Sequence, residues 1–319
     1  MTEVARAAAL LRTGELVAFP TETVYGLGAD ASNPLAIAKI FKAKGRPADH
    51  PLIVHLPDVS HLERWARDIP EAAGKLAAAF WPGPLTLILK RRPGVPDAVT
   101  GGQDTVGLRV PNHPLALQLL REFAGGVAAP SANRFGRISP TTAAHVREEL
   151  GSSVAMILDG GPCAVGIEST ILDLSGGDPW ILRPGMLDAV AIGTVLGGTP
   201  AFGSKQNAPR VSGSLEAHYA PRTPLQLVAP ADIADAASTA LGAGRRVAVL
   251  APEPFALDHP NLAWHAASAD PARFAHDLYA ALREFDAAAC DLILVAAPPA
   301  DDAWRALADR LRRAAAGSN

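Results

Sequence analysis

The stretch of residues 18–56 constrains the fold more than any other part of this chain. Its sequence is AFPTETVYGLGADASNPLAIAKIFKAKGRPADHPLIVHL. An apolar run at residues 17–19 predicts a strand that stops at Pro20. Asn33 precedes a proline and predicts a helix start, whereas Gly45 predicts the end of that helix. The order strand, polar loop, short strand, helix, basic turn and strand therefore indicates an α/β fold.

Polar side chains in this stretch suggest a ligand site. Thr21, Glu22 and Thr23 follow a strand end, where small ligands tend to bind in α/β proteins. Lys44 and Arg46 flank the basic turn, and we expect Lys44 to lie mostly off the apolar face of its helix. Cations here indicate an anionic ligand such as a phosphate or a carboxylate. From charge alone, however, a solvated helix end is the favoured interpretation.

Further polar residues are embedded in apolar segments downstream. Arg109 lies within the predicted strand 105–111, and a buried arginine must be paired because an unpaired buried charge costs several kcal/mol. Its partner is either a structural carboxylate or the carboxylate of a ligand. The loop after strand 127–129 offers Ser131 and Asn133, either as ligand contacts or as plain loop polarity.

Length and composition limit the class of protein. The chain has 319 residues, is 49% hydrophobic and 19% charged, and predicts two globular domains. Its net charge of −3 provides no global attraction for nucleic acid. Cys163 and Cys290 form no metal or disulfide pattern and suit a reducing cytosol. The first residues resemble an amphipathic helix, and no apolar run approaches the ~20 residues that span a bilayer.

The chain divides into three parts by pattern. Residues 1–196 alternate strands and helices, and we expect helices from Ser60, with Glu63 completing a capping box, and from Ser139. Residues 197–224 lack periodicity and predict an interdomain linker. Residues 225–319 alternate strands and helices again and predict a small open parallel sheet.

Common nucleotide and catalytic motifs are absent or incomplete. Gly161 and Gly166 have Ile167 where a P-loop needs a lysine. Gly26 and Gly28 match a dinucleotide fingerprint, but the strand before them is interrupted, so a nicotinamide cofactor is disfavoured. The sequence contains neither HExxH nor GxSxG.

Five separated strings together resemble one known family. PTETVYGLG, KGRP, PLIVH, APSAN and IESTILD are similar to the YrdC/Sua5 family of L-threonylcarbamoyladenylate synthases. The motifs cover about the first two thirds of the chain, and the remainder fits the longer Sua5 form by length and pattern. The resemblance implies a YrdC-like catalytic domain with a twisted mixed sheet. It also implies a smaller Rossmann-like domain with a parallel α/β sheet.

The resemblance also implies an activity. Members of the family condense L-threonine, bicarbonate or CO2, and ATP into threonylcarbamoyl-AMP and pyrophosphate, for formation of N6-threonylcarbamoyladenosine in tRNA. The implied cofactor is Mg²⁺ bound with ATP, without metal ligands from protein side chains. The implied partners are the small-molecule substrates, the downstream proteins of threonylcarbamoyl transfer to tRNA, and weak contacts with tRNA itself. A cytoplasmic protein without membrane contact is expected.

Site residues carry over by motif. Lys44 and Arg46 are expected to neutralise phosphate and carbamate oxygens as catalytic residues. The expected L-threonine contacts are Thr23, His55, Arg109, Ala129 and Ser169. The expected ATP contacts are Arg46, His50, Thr105, Ser131, Asn133, Ser139, Arg183 and Tyr219. His50 stands where the family has asparagine, and Tyr219, in the linker, is expected to close the site.

Two other functions fit parts of the sequence. The first is a non-catalytic module that binds RNA or the ribosome through a basic surface. Its residues would be Lys39, Lys42, Lys90, Arg91, Arg92, Arg134 and Arg137. The second is a carbamoyl-transfer domain for metallocentre maturation, which the absence of zinc-finger cysteines opposes.

Overall fold

The computed structural model describes residues 2–203, 208–252 and 257–318, which fall into two compact units. The N-terminal unit comprises Met1–Phe135 and Ser139–Ser214. The C-terminal unit comprises Gly136–Ile138 and Leu215–Asn319. Much of the predicted linker of residues 197–224 is thus counted with the N-terminal unit, namely the described residues 197–203 and 208–214.

A mixed sheet forms the centre of the N-terminal unit. In spatial order the strands are β10, β9, β8, β4, β5, β3, β6, β2, β1 and β7, with parallel and antiparallel neighbours. The strands are β1 (Val17–Phe19), β2 (Gly26–Asp30), β3 (Ile53–His55), β4 (Leu85–Lys90), β5 (Thr105–Arg109), β6 (Val127–Ala128), β7 (Met156–Ile157), β8 (Thr170–Asp173), β9 (Trp180–Arg183) and β10 (Ala201–Phe202). The prediction of a mixed sheet in the first domain is confirmed.

Helices supply the apolar layers that cover this sheet. They are α1 (Glu3–Arg12), α2 (Pro34–Lys44), α3 (Glu71–Phe80), α4 (Asp97–Thr100), α5 (Pro114–Phe123), α6 (Ala143–Leu150) and α7 (Ala189–Leu196). Val54, Leu87 and Leu108 are paired in register across β3, β4 and β5 and face the main hydrophobic core. Because side chains alternate along a strand, the residues on either side of each one face the opposite side of the sheet, where several predicted site residues lie.

Helix α2 is built as its sequence predicts. The Asn33 side chain accepts hydrogen bonds from the backbone N–H groups of residues 35 and 36, and Gly45 ends the helix in the left-handed region at φ 63°. The placement of Lys44 was predicted wrongly, because this residue lies four positions after Ile40 and shares its buried face. A solvated helix end is therefore excluded.

Two predicted helix starts are wrong. Asp58, rather than Ser60, caps a short 3-10 helix at Val59–Arg64. The helix expected from Ser139 begins at Ala143, with Thr142 as its capping residue. In both places a nearby side chain offers the better cap, which frees the predicted serine for another contact.

The glycine pair at residues 26 and 28 lies inside strand β2 and does not form a phosphate-binding turn. A Cβ added at Gly28 would stand 2.9 Å from Phe19 Cε1 and 3.0 Å from the Val17 carbonyl oxygen. Close strand packing therefore accounts for Gly28, and the dinucleotide fingerprint has no structural counterpart here.

The C-terminal unit contains a four-stranded sheet in the order β11, β14, β12 and β13, and all three neighbouring pairs are parallel. Its strands are β11 (Leu225–Val228), β12 (Val247–Ala251), β13 (Leu262–Ala266) and β14 (Leu292–Ala296). Its helices are α8 (Ile233–Gly242), α9 (Pro271–Ala287) and α10 (Arg305–Ala316). This confirms the predicted smaller parallel α/β domain.

The first helix, α1, is amphipathic as expected and buries Ala7, Ala8 and Leu11. Within the part of the chain that the structure describes, every helix is too short or too polar to cross a bilayer.

Candidate active site

Several predicted site residues of the N-terminal unit lie on the sheet face that is turned away from the main core. Thr105, Gly107 and Arg109 alternate with the core residues Val106 and Leu108 along β5. On neighbouring strands, His55 and Thr86 occupy the equivalent positions. The site thus runs across strands β3, β4, β5 and β8.

Arg109 is buried and fully engaged at one end of this face. Its Nη1 donates to Thr23 Oγ1 at 2.9 Å, and its Nε donates to the Gly83 carbonyl at 3.2 Å. Its Nη2 lies 2.7 Å from Glu22 Oε1, close enough for an ion pair but not aligned for a hydrogen bond. The structural carboxylate left open by the sequence is therefore Glu22. The misaligned atoms retain capacity for a further partner.

The second carboxylate oxygen of Glu22 also has a hydrogen-bond partner. The backbone N–H of Asn112 donates to Glu22 Oε2 at 3.0 Å. The sequence drew attention to Glu22 but assigned it no partner. Because 86 residues separate Glu22 from Arg109, no local pattern in the sequence indicated that the two would form an ion pair.

His55 pairs in register with Arg109 across β3 and β5 and is buried. Burial, followed by the charge of Arg109, lowers the pKa of His55 to about 3, so the imidazole is neutral at physiological pH. Its Nδ1 has no hydrogen-bond partner among the described residues. A neutral ring beside a guanidinium can exchange a hydrogen bond with a polar ligand without adding charge.

Ser169 and Arg183 form a second cluster, just before β8 and at the end of β9. Arg183 Nη2 donates to the Ser169 carbonyl at 2.9 Å and to Ser169 Oγ at 3.1 Å. Ser169 Oγ also lies 2.8 Å from Thr86 Oγ1. Arg183 Nη1 reaches the Ser212 carbonyl at 3.0 Å.

Lys44 is 4% exposed, and its ammonium is enclosed by backbone. Nζ donates to the carbonyls of Ser131 at 2.6 Å and Asn133 at 2.5 Å. Burial, and then the nearby charge of Arg46, lowers the pKa of Lys44 well below its ordinary value of 10.5. Such a pair of adjacent cations is costly unless an anion shares the site.

Arg46 extends the cationic region beyond the helix end. Its Nη2 donates to the Pro51 carbonyl at 3.0 Å and to Ser212 Oγ at 3.1 Å. His50 lies nearby with its ring edge against Phe135, and burial together with the Arg46 charge lowers the pKa of His50. His50 is thus placed near the predicted cations despite its departure from the family pattern.

The remaining predicted residues surround these clusters. Ser139 is buried and its Oγ donates to Glu168 Oε1 at 2.5 Å. Ala129 is buried and donates its backbone N–H to the Ile53 carbonyl at 3.0 Å. Thr105 lines a narrow cavity together with Ser212. All the predicted residues except Tyr219 therefore lie in the N-terminal unit.

Tyr219 belongs to the C-terminal unit, where it is buried. Its ring stacks on Tyr279 with centroids 5.9 Å apart, and the Arg310 guanidinium lies 5.1 Å from the ring centroid. These contacts fix Tyr219 within that unit. Its expected closure over ATP stays a prediction.

Sequence reasoning missed three contacts of the site. Glu168 lies within the IESTILD motif and Thr86 lies in β4, outside every quoted motif. Their contacts with Ser139 and Ser169 join residues that are far apart in the sequence. Ser212 lies in a segment without periodicity, and its hydroxyl also donates to the Pro51 carbonyl at 2.9 Å. Nothing in the sequence marks it as a partner of Arg46.

The described residues contain no group of three or more histidine, cysteine, aspartate or glutamate side chains placed to hold a metal ion. The predicted site residues instead include four buried cations, which are Lys44, Arg46, Arg109 and Arg183.

These observations define an α/β protein with buried cations and buried hydroxyls beside a mixed sheet. The family model Sua5_yciO_yrdC, described as "Telomere recombination", matches residues 9–185. A second model, Sua5_C, described as "Threonylcarbamoyl-AMP synthase, C-terminal domain", matches residues 185–316. The chain belongs to the Sua5 family of threonylcarbamoyl-AMP synthases.

Full-length relatives support this assignment. A threonylcarbamoyl-AMP synthase of Bacillus subtilis (strain 168) is 43% identical over 99% of this chain and 93% of its own length. One of Pyrococcus abyssi (strain GE5 / Orsay) is 40% identical over 97% of this chain and 92% of its own length. A crystal structure of P. abyssi Sua5 complexed with L-threonine is 38% identical and superposes with a TM-score of 0.91. The superposition covers 98% of this chain and 94% of the other.

Proposed function

We propose that this chain condenses L-threonine, bicarbonate or CO2, and ATP into threonylcarbamoyl-AMP and pyrophosphate, as its family membership indicates. The proposal is supported by four buried cations, of which Arg46 and Arg183 both contact Ser212, and by a neutral histidine beside Arg109. A carboxylated amino acid and a triphosphate are both anionic. Only a site rich in cations makes it favourable for them to meet.

L-threonine would bind at the Arg109 end. Three buried polar atoms there, Glu22 Oε1, His55 Nδ1 and Arg109 Nη2, have no hydrogen-bond partner among the described residues. Native proteins rarely leave such atoms unsatisfied, so a polar ligand with both donors and acceptors fits. The threonine carboxylate would accept from Arg109, while its amine and hydroxyl face the carboxylate, the imidazole, Thr23 and Ser169.

ATP would bind at the Lys44 end. Lys44, Arg46 and Arg183 now donate to backbone carbonyls and to Ser212, and phosphate oxygens would become stronger, charged acceptors. Ser131, Asn133, Ser139, Thr105 and His50 would lie along the nucleotide. Mg²⁺ would enter as part of the ATP substrate, held by phosphate oxygens and water rather than by a cluster of protein ligands.

The chemistry then needs positioning and charge neutralisation rather than a protein nucleophile. The threonine amine attacks the carbon of CO2 and loses a proton, which gives a carbamate. A carbamate oxygen next attacks the α-phosphorus, and the bond from that phosphorus to the bridging oxygen breaks. Pyrophosphate leaves with the electron pair. Lys44 and Arg46 would stabilise the charge that accumulates on these oxygens.

Local charge pairing argues against the alternative that this chain binds RNA through a basic surface. Lys39 lies 2.8 Å from Glu15, and Lys90 lies 3.5 Å from Asp68. Arg91 pairs with Asp97, and Arg137 Nη2 lies 4.0 Å from Asp286. Neighbouring carboxylates thus offset most of the charge that would attract phosphates.

The product would be consumed by proteins that transfer threonylcarbamoyl to tRNA adenosine, and tRNA contact would be weak. The cytoplasm stays the predicted compartment, since Cys163 and Cys290 are free thiols that suit reducing conditions.

The test is pyrophosphate release from ATP in bicarbonate buffer, measured with and without L-threonine. We expect release that depends on threonine and falls when glycine or serine replaces it, because both lack the methyl group and glycine also lacks the hydroxyl. Binding of RNA with steep salt dependence, together with threonine-independent or absent turnover, would contradict the proposal.

A further inference from the structure

The loop of residues 131–139 carries three of the proposed ATP contacts, namely Ser131, Asn133 and Ser139. Both ends of this loop are held within the N-terminal unit. Lys44 binds the carbonyls of Ser131 and Asn133, and its own carbonyl accepts from the Phe135 N–H at 2.8 Å. At the other end, Ser139 Oγ donates to Glu168. The loop geometry at its ends is therefore set by buried charged groups.

The middle of the same loop belongs to the C-terminal unit. The Ala220 N–H donates to the Gly136 carbonyl at 2.9 Å, and Arg137 forms an isolated β-bridge with Ala220. Arg283 Nη2 donates to the Ile138 carbonyl at 2.6 Å. This last bond is the shorter of the two hydrogen bonds, and its donor is charged, so it is the stronger.

Arg283 lies on helix α9, which is packed against its own unit. The helix runs for 17 residues and buries Phe274, Leu278, Leu282 and Phe285. One turn further on, Asp286 accepts from the backbone N–H groups of Arg222 and Thr223, both at 2.8 Å. Because this helix is packed along its length, the Arg283 guanidinium holds the Ile138 carbonyl at a fixed place.

We propose that Arg283 is a positioning residue for ATP binding. By fixing Ile138, it sets the backbone of Ser139, the next residue, and limits the freedom of the residues that follow Asn133. The C-terminal unit thereby contributes to nucleotide affinity without touching the nucleotide. This inference rests on the proposed ATP contacts of residues 131–139.

The test compares the steady-state constants of Arg283→Ala, Arg283→Lys and a control, Arg245→Ala. Arg245 lies in the same unit and donates to the Asp291 carbonyl at 2.8 Å at the surface, away from residues 136–138. We expect Arg283→Ala to raise KM for ATP about ten-fold, as loss of a hydrogen bond from a charged donor implies. KM for L-threonine should change less than about two-fold, and Arg283→Lys should recover much of the ATP affinity.

Hydrogen exchange separates positioning from general destabilisation. In Arg283→Ala, the amides of residues 134–139 should exchange faster than in wild type, whereas in Arg245→Ala they should not. An unchanged KM for ATP, or an equal rise in both KM values, would overturn the inference. If the alanine variant does not fold, Arg283→Gln decides by the same two KM values.

A further pair of variants distinguishes this inference from the proposed site itself. If Asn133→Ala and Ser139→Ala raise KM for ATP but Arg283→Ala does not, only the role of Arg283 fails. If none of the three variants changes KM for ATP, the assignment of the ATP site to this loop fails with it.

Discussion

At the scale of single residues, Arg109 combines a structural and a functional role. The sequence left its partner open between a structural carboxylate and a ligand, and the structure supplies Glu22 while leaving Arg109 Nη2 without an aligned hydrogen bond. The two interpretations are therefore compatible, and the experiment must separate them. Removing Arg109 would also leave the Glu22 carboxylate buried without its partner.

The variant that isolates threonine binding is Arg109→Lys. It keeps the positive charge beside Glu22 but loses the planar fork that matches a carboxylate. We expect the dissociation constant for L-threonine to rise more than about ten-fold, measured by calorimetric titration, because hydrogen bonds between charged groups contribute about 1.5–3 kcal/mol. The thermal midpoint should change little. An unchanged dissociation constant would refute the assignment of Arg109 to the threonine carboxylate.

The structural role of Arg109 can be tested separately, through the free energy of unfolding. Arg109→Ala should lower the free energy of unfolding by about 3–5 kcal/mol, the usual cost of leaving a buried charge unpaired. Adding Glu22→Gln should recover part of that loss in urea titrations, since both charges are then removed. If the double variant is less stable than Arg109→Ala alone, the ion pair does not act as described.

His55 gives a prediction for pH dependence. Its pKa is about 3 in the folded chain, below the ordinary value of 6.5, so only the unfolded chain gains this proton between those values. His55 should therefore reduce stability progressively as pH falls from about 6 to 3, by about 1.4 kcal/mol per pH unit. His55→Gln should lower that slope in urea titrations. Equal slopes for the wild type and His55→Gln would contradict the buried neutral imidazole.

At the scale of elements, local chemistry predicted helices and strands well where its signals had no competitor. Asn33 and Gly45 bound α2 as expected. The start of α6 was misplaced because Ser139 donates to Glu168, a partner 29 residues away, while Thr142 provides the cap. Long-range pairing of this kind leaves no trace in a local pattern.

The site could be predicted only in part, because contacts between residues far apart in the sequence leave no local pattern. Family motifs indicated the cations and hydroxyls, but not the partners that hold them. The approach of Ser212 to Arg46 and Arg183 depends on the course of an aperiodic segment. The burial of Lys44, by contrast, was available from its spacing to Ile37 and Ile40, and charge alone led to the wrong expectation.

Strand β2 offers a test of element packing. Gly28→Ala would place a methyl group against Phe19, Val127 and the Val17 backbone, so we expect a loss of about 1–3 kcal/mol in the free energy of unfolding. The matched control is Gly74→Ala in α3, where no described residue lies within 4 Å of the added Cβ. That change should stabilise the helix by up to about 1 kcal/mol. Equal effects of the two substitutions would contradict the close packing of β2.

At the scale of the whole molecule, the predicted site residues are distributed unevenly between the two units. The N-terminal unit contains every predicted site residue except Tyr219, while the C-terminal unit includes residues 136–138, in the middle of the loop proposed to bind ATP. We therefore expect nucleotide binding to depend on both units and threonine binding to depend mainly on the first. This division follows from which residues each unit holds.

The most direct measurement is mass spectrometry of the product formed by the purified chain from ATP, L-threonine and isotopically labelled bicarbonate. The account predicts a single adenylate that contains the threonine residue and one labelled carbon, with pyrophosphate released in equal amount. Formation of unlabelled threonyl adenylate, or pyrophosphate release without any threonine-containing adenylate, would contradict the claim that this chain joins all three substrates.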